Sequence, residues 1–541
     1  MRSARQASRP QVEGTMALHR GHRYSGKRMK PRLRSLLCLL CALVLVASVA
    51  PAGHAKENAP VAKHIILIIG DGMQPENEIA ASRYLTGKDD GLAFHAFPYR
   101  GFVATWDVTI YNRQVPRYGA EPYNPSAIAP RVGCDAVQAG ITASTSRKNG
   151  SRYTCRTTEG AKPWGADSAS TATAWATGYK TDTGNIAWLS GDPDRGAIKT
   201  IAEMLRENRG YAIGIVTTVP FSDATPAAQV SHNKSRRNYH AIAEEMIRTL
   251  QPDVVIGGGH PARNGAAYMS MALYDDVKNG RIGAYVFAER KDGMDAGKSL
   301  KEAAARAVVQ KKKLFGLFGG PDGNFEPPIP TNDGTAAVTR ATIENPLLKE
   351  ATLAALKVLS KNKNGFFLMV EQGDIDWANH ANDYKWMIGA MWDLDEAVKA
   401  AIDFVGQRGD DITWENTLLI VTSDHVTGAM RLNDDKRMGK GRLPGQSPGL
   451  CPDKLAWCPG YPGGEVSYAA TGHINDPVSL YAKGDASLTK HLRQFEGSWY
   501  PCTPVIDNTQ LFHAMTNAAG IPQHSPLKAI VTRPTACPAG Q

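Results

Sequence analysis

Three short, uninterrupted apolar runs in this chain each lead straight into an acidic residue. Residues 64–69 lead into Gly70-Asp71-Gly72, residues 366–370 into Glu371, and residues 418–421 into Thr422-Ser423-Asp424-His425. A strand with one wet face alternates polar and apolar residues, whereas these runs do not, so they fit strands covered on both faces, as in a parallel sheet. Residues 211–217 and 254–256 repeat the pattern, and helix-like stretches at 200–208, 239–250, 348–359 and 386–404 fall between the runs. Such alternation predicts an α/β fold: a doubly wound, mostly parallel sheet with helices on both faces, in a single large domain. Ligand sites in such sheets lie beyond the carboxyl ends of the strands. Asp71, Glu371 and Asp424 are therefore expected at one rim, where clustered acids need cations to compensate them.

The 541 residues are 42% hydrophobic and 8% aromatic, enough for a large core and inconsistent with disorder throughout. The first 55 residues stand apart. Lys30, Arg32 and Arg34 precede an apolar run over 36–50, and Pro51-Ala-Gly-His-Ala55 follows, the layout of a secretory signal cleaved near Ala55. The run is short for a membrane span of about 20 residues, so no stable span is expected in the mature chain. Met16 and Met29 are alternative starts. The formal charge of +10 suggests a nucleic-acid partner until it is partitioned. Ten basic residues and one acid before residue 56 carry +9 of it, leaving about +1 for the rest, so no nucleic-acid binding is expected. The expected layout is a leader over 1–55 and a catalytic domain over 56–541. Loop insertions rich in Gly and Pro are expected near 107–165 and 433–467. Outside the leader six cysteines remain, and sequence order pairs Cys134 with Cys155, Cys451 with Cys458 and Cys502 with Cys537, although fifteen connectivities are formally open.

The polar residues that remain form a parts list for metal-assisted phosphate chemistry. Asp167 precedes a run of small, helix-compatible residues, which places Ser168 at a helix N-terminus, where free N–H groups favour a phosphoryl anion. No Ser-His-Asp spacing or nucleophile elbow surrounds Ser168, so metal coordination is the remaining way to activate its hydroxyl. Asp376 and His380 stand at i and i+4, on one face of a helical turn, as a zinc pair requires. Asp424-His425 is a second carboxylate and imidazole pair, and His473 stands in Gly-His-Ile-Asn ahead of Val478.

Ile68-Ile-Gly-Asp71-Gly-Met73, Asp167-Ser168-Ala169, Asp223-Ala-Thr225-Pro-Ala-Ala228, Glu371 through His380 and Thr422-Ser-Asp-His425 occur in an order that resembles the alkaline phosphatases. The resemblance covers roughly residues 62–515. It implies a phosphomonoesterase, exported and homodimeric, with two Zn2+ and one Mg2+. Asp376, His380 and His473 would hold one zinc, and Asp71, Asp424 and His425 the other beside Ser168. Asp71, Thr225 and Glu371 would hold magnesium, with Asp223 behind them orienting its water. Arg236, thirteen residues after Asp223, stands where the family keeps its phosphate-binding arginine, with Arg237 as a rival and His232 expected to be structural. Two departures are visible: His473 is followed by Ile-Asn instead of Thr-Gly, and Trp377 occupies a position where some members carry Lys or His.

The expected activity is hydrolysis of small phosphate monoesters through phosphoserine at Ser168, releasing phosphate. A phosphodiesterase of the same superfamily is the first alternative, disfavoured because Thr225, Glu371 and Arg236 suit the extra charge of a monoester. A non-catalytic phosphate-binding protein is the second. It would leave Ser168 and a second zinc without purpose. A sulfatase is disfavoured by the lack of a Cys-x-Pro-x-Arg element.

Overall fold

Ten strands form one sheet, and their chain order explains why the acids meet. They are β1 (His64–Gly70), β2 (Tyr99–Ala104), β3 (Ala212–Pro220), β4 (Val254–Gly258), β5 (Tyr285–Glu289), β6 (Lys313–Leu317), β7 (Phe366–Gln372), β8 (Thr417–Thr422), β9 (Val478–Lys483) and β10 (Val505–Asp507). The computed structural model describes residues 61–114, 123, 142–144, 152–154, 165–407, 409, 411–452, 457–497 and 503–522. The expected leader, the Cys134–Cys155 and Cys502–Cys537 pairs and most of the 107–165 insertion lie outside the described residues. All described residues fall within one compact unit, 59–541.

The spatial order is β10-β2-β9-β8-β1-β7-β3-β4-β6-β5. Every pairing is parallel except the two made by β9, which runs antiparallel to β8 and β2. The three strands that end in acids, β8, β1 and β7, are immediate neighbours, with Ile69 opposite both Glu371 and Thr422. This central position explains their unbroken hydrophobicity. Ile65, Leu67 and Ile69 enter one core with Ala169, Ala172 and Trp175 of the helix Ser168–Thr177. Ile66 and Ile68 enter the other with Leu348, Leu356, Leu394 and Val398 of the helices Leu348–Leu359 and Tyr384–Val405. Each isoleucine so buried contributes about 1.5–3 kcal/mol, and the sheet becomes a rigid base for the residues at its rim.

The expected helices are present with small shifts. Ile201–Arg209 carries Thr200 as its N-cap, and Leu348–Leu359 matches its expected range. The stretch 239–250 divides into an α-helix, Tyr239–Glu244, and a π-helical turn, Glu245–Leu250. In the 433–467 insertion, Cys451 and Cys458 are disulfide-bonded across the hairpin formed by Ser447–Leu450 and Trp457–Gly460. No helix among the described residues is long and apolar enough to cross a membrane.

Candidate metal centre and phosphate site

The rim gathers two trios, Asp376–His380–His473 and Asp71–Asp424–His425, whose ligand atoms within each trio lie within 4.8 Å of one another. At that range like charges repel by about 3 kcal/mol at an effective dielectric of 20. Such a collection of acids is therefore unfavourable without added positive charge.

Local structure sets each position. Asp71 and Gly72 follow β1, and Gly72 has φ +68°. A Cβ there would sit 2.7 Å from the Asp376 Cα and 2.8 Å from Thr427 Oγ1, so glycine is what lets the two elements close. The Gly72 N–H donates to Asp424 Oδ1 at 2.9 Å, as does the His425 N–H. Asp376 and His380 lie on the short helix Asp374–His380, with His380 Nε2 3.2 Å from Asp376 Oδ2. His473 arrives on a two-residue strand paired antiparallel with Val426–Thr427, which sets Thr427 opposite His473. The His473 ring stacks on that of His425, with centroids 3.6 Å apart.

All three imidazoles are tethered through Nδ1. His380 Nδ1 meets the Thr471 carbonyl, His473 Nδ1 the Ala166 carbonyl at 2.8 Å, and His425 Nδ1 the Thr427 hydroxyl at 3.2 Å. A carbonyl only accepts, so Nδ1 of His380 and of His473 carries a proton, and Nε2 is the nitrogen turned towards the acids. Thr427 donates its hydroxyl to Asp376 Oδ1, so it accepts from His425 in the same way. The Nε2 atoms then face the acids and each other: His473 lies 3.1 Å from His380 and 3.5 Å from Asp376. His425 Nε2 lies 3.0 Å from Asp424, 3.5 Å from Asp71 and 3.2 Å from Ser168 Oγ. Asp71 Oδ1, Asp424 Oδ2 and Thr225 Oγ1 are buried without a hydrogen-bond partner. Oxygen and imidazole donors converging on such gaps match the preferences of divalent ions, oxygens alone suiting magnesium and the mixed trios suiting zinc.

The titration behaviour agrees. Burial, then the charges of Asp424, Asp376 and Glu371, raise Asp71 well above the carboxylate range. Burial pushes Asp424 up to about 6 and Glu371 up to about 8, the latter despite a 2.5 Å hydrogen bond from Thr217. Burial, followed by His473, holds His425 well below its usual value. Against burial, His380 and His473 hold Asp376 well below the carboxylate range, and Asp376 lifts His380 to about 9. The raised Asp71, Asp424 and Glu371 mark a shortage of positive charge at their part of the rim, whereas Asp376 and His380 stabilise each other's charge.

The nucleophile candidate is 4% exposed at the first position of Ser168–Thr177, whose N-cap Asp167 accepts from the Ser170 N–H. Arg236 lies between two acids, 3.2 Å from Asp167 Oδ2 and 3.0 Å from Asp223 Oδ1, which keep it charged against its burial. The rival Arg237 is exposed. His232 lies between Glu245 at 2.8 Å and Glu203 at 3.3 Å, a structural position as expected. The structure brings Asp71, Asp424, His425, Asp376, His380, His473 and Ser168 together, with Glu371 acting on Asp71, Thr225 beside Glu371, and Asp223 on Arg236. Unanticipated were Thr427, Thr217 and the carbonyls of Ala166 and Thr471. The two threonines follow or lie within site strands, which is a signal of sorts, but a backbone carbonyl leaves no trace in side-chain identity.

The sheet thus carries, at one rim, two acid and imidazole trios suited to divalent cations beside a serine at a helix N-terminus. The sequence profile described as "Alkaline phosphatase" matches residues 143–446. Alkaline phosphatase of Escherichia coli (strain K12) is 31% identical over 406 residues, 70% of this chain and 72% of that one. Alkaline phosphatase 3 of Bacillus subtilis (strain 168) is 34% identical over 274 residues, and the match spans about half of each, 50% of this chain and 51% of the relative. The crystal structure of Thermus thermophilus alkaline phosphatase is similar in fold, with a TM-score of 0.53 at 21% identity, covering 90% of this chain and all of that one. The chain belongs to the alkaline phosphatase family.

Proposed function

We propose that this protein hydrolyses small phosphate monoesters through a phosphoserine at Ser168. The observation that carries the reading is the common Nδ1 tether of the three imidazoles, which turns three Nε2 atoms towards buried acids, with His425 Nε2 also 3.2 Å from the Ser168 hydroxyl. In this reading Asp376, His380 and His473 hold one Zn2+, Asp71, Asp424 and His425 the other, and Asp71, Thr225 and Glu371 hold Mg2+, with Asp223 behind them. Bound ions supply Lewis acidity, lowering the pKa of the attacking hydroxyl and stabilising the leaving oxygen.

The chain's own residues do the rest. Ser168 Oγ attacks phosphorus, the ester oxygen leaves, and water later cleaves the phosphoserine to free phosphate. Arg236 offers a planar fork to two phosphoryl oxygens, and Asp167 and Asp223 hold that fork in place. The N–H groups at the start of Ser168–Thr177 face the developing charge. The substrates are small phosphomonoesters, and export after cleavage near Ala55 and a homodimer belong to the same proposal.

The test is hydrolysis of a chromogenic aryl phosphomonoester by the purified protein, with and without a chelator, beside the matching diester. Monoester turnover lost on chelation and restored by zinc with magnesium is expected, and faster diester turnover would favour the phosphodiesterase alternative. In Ser168→Ala, kcat should fall on the order of a thousandfold or more. No acid-stable phosphate should be trapped on that variant, and undiminished trapping would sink the assignment.

A further inference from the structure

Asp107 is 1% exposed and belongs to none of the groups assigned above, yet it is hydrogen-bonded to two residues that hold the Arg236 assembly. Its Oδ1 accepts from the Ile110 N–H at 2.7 Å. Its Oδ2 accepts from Thr183 Oγ1 at 2.8 Å and lies 2.9 Å from Ser170 Oγ. The same Ser170 Oγ lies 2.8 Å from Asp167 Oδ1 and 3.0 Å from the Asp167 carbonyl. A hydroxyl carries one hydrogen, so Ser170 can donate to only one of the two carboxylates at a time. Whichever way it turns, the positions of Asp107 and Asp167 are linked.

From Asp167 the linkage reaches the guanidinium directly. Asp167 Oδ1 also accepts from Gly184 N–H at 3.1 Å, and its Oδ2 holds Arg236 at 3.2 Å. A second route runs through the backbone, because Thr183 is followed by Gly184, whose carbonyl accepts from the Arg236 N–H at 2.7 Å. Asp107 thus grips both supports of one arginine, the Asp167 carboxylate through Ser170 and the Gly184 peptide through Thr183. The hydroxyl of Thr109, two residues on, reinforces the same loop by accepting from the Thr183 N–H at 3.0 Å.

We propose that Asp107 is a positioning residue for Arg236, fixing the fork through Ser170 and Thr183 and thereby setting affinity for the phosphoryl group. This rests on the reading of Arg236 as the phosphate-binding group. The blander role, a cap for the helix Val108–Gln114, uses only Oδ1 and leaves the two contacts of Oδ2 unexplained.

The test is a double-mutant cycle on the metal-loaded full-length enzyme, with competitive inhibition by inorganic phosphate as its readout. Asp107→Asn keeps the shape but sets an amide N–H against at least one donor in either orientation. It is expected to raise the phosphate Ki and the KM about 3–10-fold, the range of one good hydrogen bond, with kcat changed less. Combined with Arg236→Ala, the same substitution should have no further effect on Ki. An equal rise in both backgrounds, or an unchanged Ki with only a lower Tm, overturns the proposal. If Arg236→Ala alone leaves the phosphate Ki unchanged, it is the phosphate-site reading that fails. Should Asp107→Asn not fold, Ser170→Ala deletes only the bridging hydroxyl, and an Arg236-dependent rise in Ki is expected from it too.

Discussion

Each imidazole at the site is tethered through Nδ1 and turns Nε2 towards the other site residues, whereas the same residue type serves structure when both nitrogens are held away from the rim. His232 is the contrast. Its Nδ1 meets Glu245, its Nε2 lies near Glu203 and the Ile198 carbonyl, and these acids overcome burial to raise it to about 9. A histidine whose folded pKa is raised contributes stability fully below its unfolded value of about 6.5, and that contribution is lost as pH rises through the folded value. On the order of 2 kcal/mol should therefore disappear between about pH 6.5 and 9. Thermal unfolding of the wild type and His232→Gln across that window checks it. The two Tm curves should converge at the alkaline end, and a constant gap would count against the ion-pair account.

At the scale of elements, the rim is assembled from short pieces that tolerate no added atoms. Gly72→Ala would force a side chain into φ +68° and against the backbone of Asp376, where neither the helix Asp374–His380 nor Thr427 can retreat without moving a ligand. The variant should fold with a lower Tm, bind less zinc and lose most turnover. Metal analysis of the purified protein separates this outcome from simple misfolding, and full zinc content with normal kcat would show that the loop can relax. Much of this level was legible in the chain. The core strands announced themselves as β-branched and aromatic runs, because strands buried on both faces have no reason to alternate. Glu371 was expected just past a strand but lies within β7, since parallel pairing continues to Gln372 opposite Gly70. β5 and β6 escaped notice because short runs broken by charged residues or glycine, as in Lys313–Leu317, carry little periodicity. β2, β9 and β10 are hard to read for a related reason: Arg100 and Gly101 interrupt β2, Ser479 and Lys483 interrupt β9, and β10 has only three residues. His473 was the least anchored of the expected ligands because its position depends on a two-residue pairing with Val426–Thr427, a contact that no local pattern encodes.

At the scale of the whole molecule, the site stores a conflict that bound cations would resolve. The core on both faces of the sheet holds Asp71, Glu371 and Asp424 at one rim, all at most 7% exposed. Without cations, burial first and neighbouring carboxylates second raise all three, to about 6 for Asp424 and about 8 for Glu371. An acid with a raised folded pKa binds more protons folded than unfolded, so stability falls as pH rises from its unfolded value, about 4, through its folded one. The chelated protein should therefore be most stable at and below about pH 4 as far as these groups are concerned, and should weaken steadily towards pH 8. Divalent ions bound only by the folded state reverse this, each adding about 4 kcal/mol when present at a thousandfold over its Kd. The expected result is a Tm difference between metal-loaded and chelated protein that is small near pH 5 and widens to pH 8. The widening should shrink in Glu371→Gln, which removes the acid with the higher of the two values. A pH-independent Tm difference, measured by calorimetry in matched buffers, would mean that the acids are neutralised from within the chain and that the rim does not depend on cations for its charge balance.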